Sequence, residues 1–104
     1  MNLLTDELIE KLKAAGGDGE KPVCKLFTPD GAATWVLTGM EDNGDTLWCV
    51  ADLGMDCVEF GTVSLQELES VRGPAGLPVE RDKWFDPDKY SLTDLLGRDS
   101  LAGI

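Results

Sequence analysis

TWVLTGMEDNGDTLWCVA, residues 34–51, carries the information on which the fold turns. Asn43 and Gly44 lie between two apolar runs rich in β-branched and aromatic residues. Both residue types accept the positive φ of a tight reversal, so this is the strongest short-range hairpin signal in the chain. Strands are predicted over residues 34–38 and 46–51, joined through Glu41, Asp42, Asn43, Gly44 and Asp45.

The pattern extends on both sides. Residues 23–28 alternate weakly and run into Pro29, Asp30 and Gly31, whose backbone preferences suit a turn, so they form a hairpin with the 34–38 strand. After residues 52–56, where Gly54 permits another turn, residues 58–63 form a fourth strand. The centre is therefore an antiparallel meander of about four strands.

Helices flank it. Thr5, followed by Asp6, Glu7, Leu8, Ile9 and Leu12, reads as a capped amphipathic helix that Gly16 and Gly17 terminate. Ser64 and Glu67 have the spacing of a capping box, in which serine and glutamate satisfy amides reciprocally, so a short helix starts there and ends by Arg72 or Gly73. Gly73, Pro74, Gly76 and Pro78 make residues 72–81 an irregular crossing segment. Ser91 and Asp94 repeat the capping pattern before Gly97, for a last, loosely docked helix. The fold class is α+β, with residues 1–87 as a single domain and 88–104 as a short C-terminal extension.

Composition narrows the function classes. Twenty acidic against nine basic residues give a net charge of -11 with no histidine. Such a surface repels phosphate backbones, which excludes direct nucleic-acid binding. The excess is concentrated: no Lys or Arg lies between Leu26 and Val71, where Glu41, Asp42, Asp45, Asp52, Asp56 and Glu59 fall. These six are the candidate partner-binding residues, and a protein with a basic surface, such as a nucleic-acid-binding protein, is the complementary partner. The alternative is that the acidity serves solubility only and an apolar or loop surface around residues 72–85, with Trp84, makes the contact. No apolar run is long enough for a bilayer span, and an odd set of three cysteines fits free thiols in the cytoplasm.

Catalysis has little to work with. Without histidine the Ser-His and Cys-His pairs cannot form, and no enzyme activity is expected. Carboxylate pairs from residues 41–45, or Asp52 with Asp56, are weighed against acids that merely shape and solvate turns. Asp42, Asn43, Gly44 and Asp45 lack the spacing of a calcium loop. Cys49 and Cys57, on neighbouring strands, lack two further zinc ligands and are expected as buried thiols, so no metal or cofactor is expected. Trp35 and Trp48 flank the hairpin, either as a cross-strand core pair or as exposed anchors. Arg72 and Arg81 bracket the Gly/Pro segment as loop clamps to carboxylates or main-chain carbonyls.

ELESVRGPAGLPVERD, residues 67–82, resembles Domain of Unknown Function family 2958, small bacterial proteins. Leu3, Leu4 and Thr5, residues 25–30 with Phe27, Thr28 and Pro29, the Thr34 and Trp35 pair and residues 84–87 resemble it as well. The resemblance implies a setting on plasmids, conjugative elements or phages, and brings no activity or catalytic residues with it.

Overall fold

A strand that must be covered on both faces cannot alternate cleanly between apolar and polar residues, and residues 34–40 do not. In the computed structural model, which describes residues 3–104 apart from the Asp18 side chain, all seven residues of this strand are buried. It is the middle of a five-stranded antiparallel sheet. The strands are β1 (Cys24–Phe27), β2 (Thr34–Met40), β3 (Thr46–Asp52), β4 (Val58–Ser64) and β5 (Glu80–Arg81), in the order β4-β3-β2-β1-β5. The fold is α+β, with α1 (Asp6–Ala15), α2 (Leu65–Ser70) and α3 (Leu92–Leu96) around that sheet.

Successive side chains on a strand face opposite ways, and here each set has its own core. On the first face Trp35, Leu37, Leu47 and Cys49 join Leu12 of α1, the preceding Leu3 and Leu4, and Leu68 of α2. On the second face Val36 and Val50 meet Leu95 and Leu101. Residues 88–104, set apart at Pro87 by sequence, thus contribute to this second core. The expectation of loose docking is corrected: Leu95 and Leu101 are fully buried.

The helix starts follow their caps. Thr5 Oγ1 accepts the Leu8 amide at 3.2 Å, and Gly16, at φ +58°, ends α1. The chain then passes along the C-terminal half of β2 so closely that a Cβ on Gly39 would collide with the Gly16 carbonyl. There β2 carries a bulge between Leu37 and Gly39. Glycine at 39 lets one backbone lie against the other, whereas Gly16, whose Cβ would meet nothing, serves the positive φ of the helix end.

Three further expectations change. Glu80 and Arg81, placed in an irregular segment, pair with Phe27 and Leu26 as a fifth strand, because the last backbone breaker is Pro78. Trp35 and Trp48 do not form a pair: Trp35 is opposite Ala51 on the first face, while Trp48 points to the second and stacks on Phe60 at 5.6 Å. Ser64 caps α2 by accepting the Glu67 amide at 3.3 Å, but Asp45 supplies the second arm of the cap. Its Oδ1 accepts the Gln66 amide at 2.9 Å, its Oδ2 accepts the Ser64 hydroxyl at 2.7 Å, and its carbonyl accepts the Leu65 amide at 2.8 Å.

Candidate interaction surface

Antiparallel topology sends consecutive turns to opposite ends of a sheet. The six acidic residues divide accordingly: Glu41, Asp42 and Asp45 lie at one end of β3, and Asp52, Asp56 and Glu59 at or beyond the other. Seven residues of strand separate the groups by roughly 20 Å at the usual rise. They form two acidic ends and do not converge. Among the described residues no group of three or more His, Cys, Asp or Glu is placed to hold a metal ion.

Within each group the roles differ. Asp42 and Asp56 are exposed, as is Glu59. Glu41 is half-buried and accepts the Trp48 indole N–H at 2.7 Å. Asp45 serves the α2 cap. The Ser64 hydroxyl and then the Gln66 amide hold its carboxyl below the usual range. Lys13 reaches this turn, with its Nζ 3.9 Å from where a Cβ on Gly44 would stand.

Asp52 leaves the surface set. It is 3% exposed, and Oδ1 accepts the Gly54 amide at 2.8 Å while Oδ2 accepts the Ser100 hydroxyl and the Leu101 amide at 3.1 and 2.8 Å. Burial pushes its pKa up, but these three donors outweigh burial and leave it below the ordinary value. Asp52 therefore ties residues 100–101 to the sheet.

Both arginines donate to main-chain carbonyls. Arg72 donates to those of Glu69 and Val71, and Arg81 to that of Leu3. Asp30, which sequence reasoning used only as a turn residue, also fixes the Gly/Pro segment. Its Oδ2 accepts the amides of Ala75 and Leu77 at 2.7 and 3.2 Å. Lys25 likewise escaped notice. It bridges Asp82 at 3.3 Å and donates to the Ile104 main-chain oxygen at 3.0 Å, beside a cleft of about 390 Å³.

The cysteines separate by environment. Burial raises the Cys24 thiol to about 12, against the pull of the Arg81 charge, and the Cys49 thiol to about 11. Cys57 corrects the expectation of a buried strand thiol, for it is exposed in the loop before β4. Its thiol donates to Glu59 at 3.2 Å, and that bond and the carboxylate charge raise its pKa.

Of two exposed apolar features, the first is absent from the sequence-derived set, and the second, Trp84, belongs to the surface around residues 72–85 that the sequence offered as the alternative contact. Leu53 and Met55, at the β3–β4 turn, are 52% and 73% exposed, and Phe60 on β4 is also exposed. Trp84 is 94% exposed, with its amide bonded to Asp82. Apolar residues at a turn beside Gly54 were the available signal for the first.

No curated protein and no solved structure is significantly similar to the chain. A family described as "Protein of unknown function (DUF2958)" matches residues 3–100, past Pro87 where the recognised residues stop. That match spans both cores of the sheet, and the chain belongs to the DUF2958 family.

Proposed function

We propose that the chain is a non-catalytic interaction module whose acidic sheet ends engage a cationic surface on a partner protein. The observation that carries this reading is the exposure of Asp42, Asp56 and Glu59 on a stretch, residues 26–71, with no Lys or Arg of its own. The ion pairs of the described residues, Lys25–Asp82 and Arg98–Asp94, both lie outside that stretch. Carboxylates exposed without an ion pair, Glu59 among them although it accepts the Cys57 thiol, offer their charge to a partner's lysines and arginines.

The sharper form of the proposal is a DNA mimic. Two carboxylate groups at opposite ends of one strand stand in for phosphates, and the target is a host nucleic-acid-binding complex such as a CRISPR or restriction system. Three free thiols fit a cytoplasmic setting for such an encounter.

The test is capture of partners from the native host at low and high salt, beside a variant carrying Asp42→Lys, Asp56→Lys and Glu59→Lys. Binding that weakens steeply with salt and is lost in the variant is expected. A partner retained by the variant overturns the reading, and a partner that still binds its DNA when saturated with this protein overturns the mimic.

Trp84 supports a second reading, in which the acids only keep the protein in solution and the surface around residues 72–85 makes the contact. An aromatic ring almost wholly in water is a ready anchor for a partner. Trp84→Ala then abolishes capture while the charge variant retains it.

A further inference from the structure

The two edges of the sheet are built differently. An edge strand presents unpaired N–H and C=O groups, and proteins ordinarily blunt it by shortness, lysine, proline or a bulge. β5, at one edge, is two residues long. β4, at the other, is seven residues long, pairs with β3 in unbroken register and contains neither lysine nor proline. Glu59 is its single charge.

Beside this edge the first face of the sheet is open. Leu12 of α1 covers the centre of that face, but a groove of about 210 Å³ remains, lined by Trp35, Cys49, Ala51, Gly61 and Val63 with Glu59 at one end. A second hollow of about 240 Å³ shares Ala51, Leu53 and Glu59 with it and adds Met55 and Cys57. Gly61 is central: it is an interior strand glycine, yet a Cβ there would meet nothing within 4 Å. Glycine inside a strand weakens it unless the space serves a close neighbour, and none of the described residues fills that space.

Charge identifies what fits. Asp56 and Glu59 stand at the start of β4, and Glu67 and Glu69 of α2 are exposed just beyond its end. A second copy would bring the same acids to the same edge, whereas a basic segment is attracted at both ends.

We propose, on the acidic-module reading above, that β4 takes up an extended segment of the partner as a sixth strand, with apolar residues alternating with lysine or arginine. Main-chain hydrogen bonds to the β4 edge hold the segment, and one apolar side chain enters the space over Gly61. The next residues in the segment point to the other face, where their stems lie along Phe60 and Thr62 and their charges reach toward Asp56 and the acids beyond the strand end, while Glu59 stands on the groove side with Gly61.

The probe is a blocked peptide of about ten residues, long enough to span β4, alternating valine and lysine. It is titrated into the isotope-labelled full chain and followed by amide shifts and hydrogen exchange. Shifts and slowed exchange along residues 58–63 are expected, with binding weakened by salt. Gly61→Leu fills the groove and is expected to fold, since its Cβ meets open space, and to bind about tenfold more weakly. The same peptide N-methylated at alternate residues, which cannot pair as a strand, tests the edge on the unaltered protein and is expected not to bind.

Equal binding of the methylated peptide and of Gly61→Leu, with salt dependence kept, overturns strand addition and leaves the acidic reading standing. Binding that ignores salt and Asp42→Lys with Asp56→Lys, yet needs the free edge, overturns the cationic partner in both proposals. No binding at millimolar peptide overturns the inference. So does a concentration-dependent dimer lost in Gly61→Leu, which assigns the edge to a second copy.

Discussion

The carboxylate of Asp30 occupies the space that a side chain on residue 73 would need: a Cβ on Gly73 would fall on Asp30 Oδ1. The same carboxylate accepts two amides from the segment beyond, and its Oδ1 is buried without a partner. Glycine at 73 lets the β1–β2 turn and the Gly/Pro segment lie against each other.

Gly73→Ala is therefore expected to cost about 1–3 kcal/mol through overpacking. In an Asp30→Ala background, which is destabilised on its own, the added cost of Gly73→Ala should be much smaller. Urea denaturation of all four combinations measures the coupling, and additive effects would contradict the contact.

At the start of α2, Ser64 has two partners. Ser64→Ala should cost about 1 kcal/mol, and Glu67→Ala should cost little through the cap, because Asp45 accepts the Leu65 and Gln66 amides of the first turn and the Glu67 carboxylate takes no part in it. Asp45→Ala should destabilise the protein and shrink the effect of Ser64→Ala. Denaturation midpoints check the order, and a larger loss for Glu67→Ala than for Ser64→Ala would refute it.

Asp52 ties residues 100–101 to the sheet through three hydrogen bonds. Asp52→Ala leaves the buried Leu101 amide unsatisfied and should cost about 2–3 kcal/mol. Amide exchange at Leu101 should accelerate in the variant, and unchanged protection there would contradict the tether.

Acid should act through the same groups. The pKa values of Asp45 and Asp52 are lowered in the folded state, so the unfolded chain takes up their protons first as pH falls. Their contribution to stability is complete above the unfolded value of about 4 and is lost as pH falls through the folded values. Stability measured by urea between neutral pH and pH 3 should drop, and the drop should be shallower in Asp52→Asn.

Thiol labelling should find one cysteine. Cys57 should react with a thiol reagent well before Cys24 and Cys49, whose thiols are buried and raised to about 12 and 11. Glu59→Gln removes the charge that raises the Cys57 thiol and should speed its labelling severalfold at mildly alkaline pH. Simultaneous labelling of all three would contradict the burial.

Local chemistry made much of this structure legible. The Asn43-Gly44 reversal, the Thr5, Ser64 and Ser91 caps and the glycine after α1 depend on residues within a few positions, so the sequence by itself determined α1, the meander and the starts of α2 and α3. Net charge and the lack of histidine likewise required no fold to be read.

What tertiary structure alone decided involves partners far apart in sequence. The opposite faces of Trp35 and Trp48 follow from strand register. Asp52 was drawn from the surface by Leu101, 49 positions away, and Asp30 was assigned to residues 73–77 by a turn meeting a loop. The strand of Glu80 and Arg81 exists because β1 offered an edge. A carboxylate has the same local signature whether it faces water or a buried amide, and only the approach of a distant backbone decides between them.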